Sequence, residues 1–205
     1  MARERIIQDP PTARFLFDST ASSWIWLIAR VYLGWQWLQA GLHKVTDPAW
    51  MTTGTALQGF WTRAVALPAP PAKPIITYGW YRSFLSAMLA GGHYTWFAKL
   101  VAVGEVVLGV ALILGLLTGF AAFFGAFMNF NFMLAGTTST NPVLFTLAVL
   151  LLLAWKVAGY WGVDRFLLPA VGTPWQGRVE ADARPGTQTQ YRPDEVRDPK
   201  NRPKV

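Results

Sequence analysis

The chain has 205 residues, of which 53% are hydrophobic, 15% aromatic and 14% charged, and its mean hydropathy is +0.28. Soluble domains carry about a quarter charged residues, so this composition points to an integral membrane protein. The formal charge is +7 and cysteine is absent, which excludes disulfides, iron–sulfur clusters and thiolate-bound metals from this polypeptide.

In chain order, residues 1–21 read as a polar N-terminal tail carrying Arg3, Arg5 and Arg14. Asp9 and Asp18 precede an apolar run that is long enough to span and has no clean small-residue cleavage site, so no cleaved signal peptide is expected. That run covers residues 24–42. Three more apolar segments follow at 96–117, 119–135 and 142–158. Each approaches the ~20 residues needed to cross a bilayer core. The second and third meet at Leu117-Thr118-Gly119 and predict a tight helical hairpin. The fold expected is all-α: an integral membrane four-helix bundle with an extracytoplasmic helical insertion between helices 1 and 2.

The insertion, residues 43–95, is too aromatic for a floppy linker. The stretches WMTTGTALQGFWTRAVAL (50–67) and IITYGWYRSFLSAMLAGG (75–92) read as amphipathic helices, with PAPPAKP (68–74) forcing a break between them. They are expected to lie over the outer mouth of the bundle; a surface loop with no lid role is the alternative. Residues 22–170 then form the membrane domain. Residues 171–205 are polar and Pro-rich without periodicity, and read as a disordered cytoplasmic tail.

Basic residues set the orientation. The N-terminal 23 residues hold three and the chain from Lys156 onward holds nine, whereas the 53-residue insertion holds only Lys44, Arg63, Lys73 and Arg82. Both termini are therefore expected in the cytoplasm, with the chain multi-pass in the inner (cell) membrane. The positive excess reports topology, not nucleic-acid binding. Lys156 is expected to snorkel to the cytoplasmic interface.

Three polar residues interrupt the spans, and each sits on a stripe of small or buried-type side chains at helical spacing. Arg30 shares a face with Trp26, Gly34, Trp37 and Gly41; Glu105 with Ala98, Ala102 and Gly109; Asn129 with Ala122, Gly125 and Gly136. Such stripes are where membrane helices pack, so all three should point inward. Counting along the helices brings Arg30 within reach of Glu105 near the midplane. A mid-helix charge costs about 2.5–3.5 kcal/mol, and pairing Arg30 with Glu105 would offset two such costs. Two readings stay open for this trio: an ion pair that sets helix register, or a site that holds a quinone head group and moves protons.

A second polar group gathers at the outer mouth. His43 and Lys44 close the first span, His93 and Lys99 flank the second, and Arg82 lies on the insertion. The third and fourth spans are joined there by GTTSTNP (136–142), in which Asn141 precedes Pro142 as an N-cap. Lys44, Arg82, Thr137, Thr138 and Asn141 suit a small oxyanion; capping and ordinary interfacial charge is the alternative. No metal or haem is expected, since no histidine lies within a span and the spacing of the two demands no ligation.

The patterns RVYLGWQWLQAGLHK (30–44), GEVVLGVALILGLLT (104–118) and NFNFMLAGTTSTNP (129–142) resemble the DoxX/DoxD family, over roughly residues 22–170 and including the closing YWGVDRFLLP (160–169). The resemblance implies a four-helix membrane subunit associated with thiosulfate:quinone oxidoreductases, which oxidise thiosulfate to tetrathionate while reducing quinone. Arg30, Lys44, Glu105, Asn129 and Asn141 match the family's polar motif positions. On this reading thiosulfate docks near Lys44, Arg82 and the 136–141 turn. Quinone, as substrate, lies near the catalytic candidates Arg30, Glu105 and Asn129, and a partner subunit contributes. The competing reading is a non-catalytic subunit that anchors or stabilises a larger respiratory or photosynthetic complex. A transporter is weaker, because four helices with two central charges enclose little pore.

Overall fold

The computed structural model describes residues 9–171. Among them the regular structure is entirely helical, without strands. The expected tail at 172–205 and the residues before Asp9 lie outside the described residues.

Helix α1, Pro11–Asp18, falls within the expected N-terminal tail and docks on the first long helix, α2 (Ser23–Val45). Phe17 stacks on Trp26 at 5.6 Å, and the Trp26 indole donates to the Leu16 carbonyl at 2.6 Å. The Lys156 ammonium pairs with Asp18 at 2.7 Å, tying α1 to the segment that follows the last long apolar helix.

Three helices occupy the insertion: α3 (Pro48–Met51), α4 (Thr55–Val65) and α5 (Gly79–Ala90). Asp47 caps α3 by accepting from the Ala49 N–H at 2.8 Å. Gly54 starts α4 at φ 73°, and a Cβ there would stand 2.7 Å from the Tyr94 carbonyl oxygen. Only glycine suits that left-handed, crowded position. It holds α4 against the start of α6 (Tyr94–Leu114). The Tyr81 hydroxyl, on α5, donates to the Asn131 carbonyl at 3.0 Å and fixes the insertion to α7 (Thr118–Leu134).

α8 (Asn141–Leu153) is followed by a break at Ala154 and two short helices, α9 (Trp155–Ala158) and α10 (Asp164–Ala170). The segment 142–158 is thus not one continuous helix. Asn141 is also not the N-cap: it is the first helical residue, Thr140 precedes it, and its amide donates to the Thr137 carbonyl at 3.1 Å.

The main core joins α2, α6, α7 and α8 through Leu33, Trp37, Leu112, Ala122, Ala148 and Leu151. A second core seats α4 and α5 on the beginning of α6, around Leu57, Trp61, Ile76 and Ala98. α2 and α6 run antiparallel in close contact. A Cβ on Gly34 would stand 2.9 Å from the Gly109 carbonyl oxygen, and one on Gly41 would stand 2.6 Å from the Val106 nitrogen. The outer faces are apolar: Ile28, Tyr32 and Trp35 on α2, Leu100, Val103 and Val107 on α6, and Phe120, Phe123, Phe127 and Phe130 on α7 are exposed. Among the described residues one helix, Tyr94–Leu114, is long and apolar enough to cross a membrane, with mean hydropathy 2.3; α7 and α8 are shorter apolar helices.

Candidate functional site

The three polar candidates of the long apolar helices all point inward. Arg30 and Asn129 are 0% exposed and Glu105 is 1% exposed. They do not form one group. The expected Arg30–Glu105 pair is absent: the carboxylate of Glu105 accepts from the Lys44 ammonium at 2.6 Å, while the Arg30 guanidinium is committed elsewhere.

The reason is axial register. The glycine contacts set Gly41 beside residues 105 and 106, and Gly34 beside residues 109 and 113. Arg30 lies 11 residues before Gly41, so about 16 Å separates it from the level of Glu105 along the helix axis. It lies instead at the C-terminal end of α6, where the last carbonyls of a helix have no intrahelical donors and carry the negative end of the helix dipole. Arg30 Nη1 donates to the carbonyls of Leu112 at 2.7 Å and Ile113 at 3.2 Å, and Nη2 to that of Trp161 at 3.0 Å.

Asp164 completes this clamp, from a segment absent from the sequence-based site. Its carboxylate accepts from the Leu117 N–H at 2.6 Å and the Thr118 N–H at 2.8 Å, the first amides of α7. Its own N–H donates to the Gly115 carbonyl at 2.8 Å. A cation on the carbonyl end of α6 and an anion on the amide start of α7 hold the turn between them. Gly115 at φ 67° and Leu117 at φ 47° give that turn its left-handed geometry. Arg30 thus ties the end of α6 to the Trp161 carbonyl, away from the insertion.

Glu105 and Asn129 come together with Lys44 in a cavity of about 470 Å³ at the opposite end. Lys44 also stands over the Trp50 ring, 5.3 Å from its centroid. Glu105 and Val101 supply the α6 wall, Asn129 and Phe132 the α7 wall, and Gln36, Trp37 and Ala40 the α2 wall. The insertion closes the top with Trp50, Leu57, Phe60 and the exposed Arg63. Thr137, Thr140 and Asn141 line the edge where α7 turns into α8.

Several expected substrate-binding residues thus share one space with two of the expected catalytic residues: Lys44, Thr137 and Asn141 with Glu105 and Asn129. Arg82 and Thr138 are not in it. The Arg82 guanidinium donates to the Ile76 carbonyl at 3.3 Å, within the insertion, and Thr138 is exposed. His43 is exposed, and the ring of His93 accepts the Trp96 indole N–H at 3.3 Å. Trp37 and Arg63 line the cavity without a sequence signal for it: by pattern Trp37 belongs to the packing stripe of α2, and Arg63 is one of four insertion cations.

A larger groove of about 650 Å³ opens at the end away from the insertion, between α7, α8 and α10. Its walls are Phe120, Phe123, Phe124 and Trp155, and its buried acid, Asp164, is already engaged by backbone amides. It offers no convergent polar groups for chemistry. Binding sites are mostly apolar pockets with a few placed polar groups, and the Lys44–Glu105–Asn129 cavity has that make-up.

The DoxX family model matches residues 25–138, more than half of the chain and all of α6 and α7. The matched region contains Lys44, Glu105, Asn129 and every wall of the cavity except the α8 edge. No curated protein and no solved structure matches the chain. The chain belongs to the DoxX family of membrane proteins.

Proposed function

We propose that this DoxX protein is a four-helix integral membrane subunit of a quinone-linked oxidoreductase, with the Lys44–Glu105–Asn129 cavity as its quinone site. α2, α6, α7 and the α8–α9 segment would cross the bilayer. The insertion would cover the extracytoplasmic mouth, and both termini would lie in the cytoplasm. The apolar outer faces of α2, α6 and α7 support that embedding, because such a surface is stable only against acyl chains or another apolar partner. The distribution of Lys and Arg supports the orientation.

One observation carries the functional reading: a partly buried ion pair and an unpartnered carboxamide line the same cavity. Lys44 and Asn129 can donate to a quinone carbonyl oxygen, and Glu105 can relay protons to it. Lys44 and Arg63 give the mouth positive charge suited to an anionic reductant such as thiosulfate. Joining two thiosulfate ions through a new S–S bond releases two electrons, and the quinone takes up those two electrons with two protons. A partner subunit would complete the path between them.

The test is quinone reduction by the purified protein, with its co-purifying partners, in detergent with thiosulfate and a short-chain benzoquinone. Turnover is expected, with a loss of about 100-fold or more in Glu105→Gln. Absence of turnover with native partners present removes the reading. The aromatic outer faces, Trp24 and Trp35 on α2 and the phenylalanines of α7, favour a second role as a non-catalytic anchor in a larger complex. Fixed-stoichiometry co-purification together with unaltered electron transfer in Glu105→Gln would select it.

A further inference from the structure

Two side chains of the cavity have polar atoms that no protein group satisfies. Neither the oxygen nor the nitrogen of the Asn129 carboxamide has a hydrogen-bond partner, and neither does the indole N–H of Trp37. Trp37 is 3% exposed and Asn129 is 0% exposed. Native interiors seldom leave such groups unmatched, and a bound group is the ordinary remedy. Lys44, by contrast, is already bonded to Glu105.

The indole nitrogen lies beside α7 at Gly125, one turn before Asn129. A Cβ on Gly125 would stand 3.2 Å from Trp37 Nε1, so a side chain there would press on the donor. Indole can only donate, whereas a carboxamide offers donors and an acceptor whichever way it is set. Whatever meets Trp37 must therefore present an acceptor atom, and a ligand that is only a donor, such as an ammonium ion, is refused at this point.

We propose that Trp37 and Asn129 position the ligand of the cavity by holding one acceptor oxygen between the indole N–H and the carboxamide. Gly125 lets the indole edge pack this close to α7. The oxygen belongs to a quinone carbonyl or to an oxyanion. This assignment rests on the cavity being the ligand site and deepens that reading by naming the atoms that select the ligand.

The test uses the full chain in detergent, titrated calorimetrically with decylubiquinone and, separately, with sodium thiosulfate. Trp37→Phe removes the donor and keeps a ring; Gly125→Ala crowds the donor while favouring the helix. Each should raise the Kd of the probe that binds by about tenfold, with the unfolding temperature of Gly125→Ala preserved. The ¹⁵N-labelled indole signal lost in Trp37→Phe should move downfield when that probe is added to the wild type. Binding of thiosulfate alone, weakened in both variants, keeps the positioning role and removes quinone from the cavity. Unchanged Kd in Gly125→Ala, or a stationary indole signal at saturation, overturns the positioning role while leaving quinone binding intact. A wild type that binds neither probe overturns both. Should Trp37→Phe fail to fold, Gly125→Ala and the wild-type indole signal decide.

Discussion

Lys44 and Glu105 are 61 positions apart and meet at 2.6 Å, with the lysine side chain 20% exposed and the glutamate 2%. A carboxylate this deep cannot remain charged without its cation, so removing one partner differs sharply from removing both. Lys44→Met should lower stability by about 3 kcal/mol, because it strands Glu105 in an apolar wall. Adding Glu105→Leu to Lys44→Met should restore most of the loss. Denaturation of the single and double variants in detergent checks this. A double variant no more stable than Lys44→Met would mean that the pair does not act as a unit. The same double variant should lack quinone reduction even though it folds, which separates the pair's chemistry from its structural part.

At the level of elements, the α6–α7 turn depends on two charged side chains that complement two helix ends. Arg30→Lys keeps the charge but cannot reproduce the forked donation to Leu112, Ile113 and Trp161. It should cost about 2 kcal/mol of stability without altering the affinity of the cavity, since Glu105 lies about two helical turns from the α6 carbonyls that Arg30 holds. Unfolding and ligand titration on one preparation test both halves of that statement.

The α2–α6 contact is equally specific. Gly41→Ala would force its Cβ onto the backbone of Val106, costing about 1–3 kcal/mol and drawing Lys44 away from Glu105. The insertion carries a pH-dependent tie to α7. Burial pushes the Tyr81 phenol up to about 12, which keeps it a donor to Asn131. An unfolded tyrosine loses its proton near pH ~10. The bond's stabilisation is therefore complete below that pH and is lost as pH rises toward the folded value. Hydrogen exchange in α5 should rise over this interval in the wild type. In Tyr81→Phe it should be faster already at neutral pH and flat with pH.

For the whole molecule, the two ends of the helical bundle have different work. The end away from the insertion is closed by Arg30, Asp164 and the Lys156–Asp18 pair; the end under the insertion holds the cavity. The native absence of cysteine makes topology directly testable. A thiol introduced as Thr138→Cys should react with a membrane-impermeant maleimide from outside intact cells. Arg14→Cys should react only after the cytoplasmic side is opened. The reverse pattern would invert the orientation and put the cavity on the cytoplasmic face.

Helical class, the positions of the first three apolar helices and the inward faces of Arg30, Glu105 and Asn129 were legible from the residues alone; the break at Ala154 was not. Hydrophobic periodicity and small-residue stripes define which side of a helix is buried, and that information is local. Axial register between helices is not local. Counting residues from helix ends put Arg30 and Glu105 at similar depths, but the contacts of Gly34, Gly41 and Gly109 slide α2 along α6 until Lys44, not Arg30, reaches Glu105. The unpartnered indole of Trp37 was equally hidden, since a tryptophan on a packing stripe looks like core until its neighbours are known. The pattern along each helix determined the rotation of its polar residues. Which of them became partners was decided only in three dimensions, because backbone contact at glycines permits a single offset and charges pair over a few ångströms.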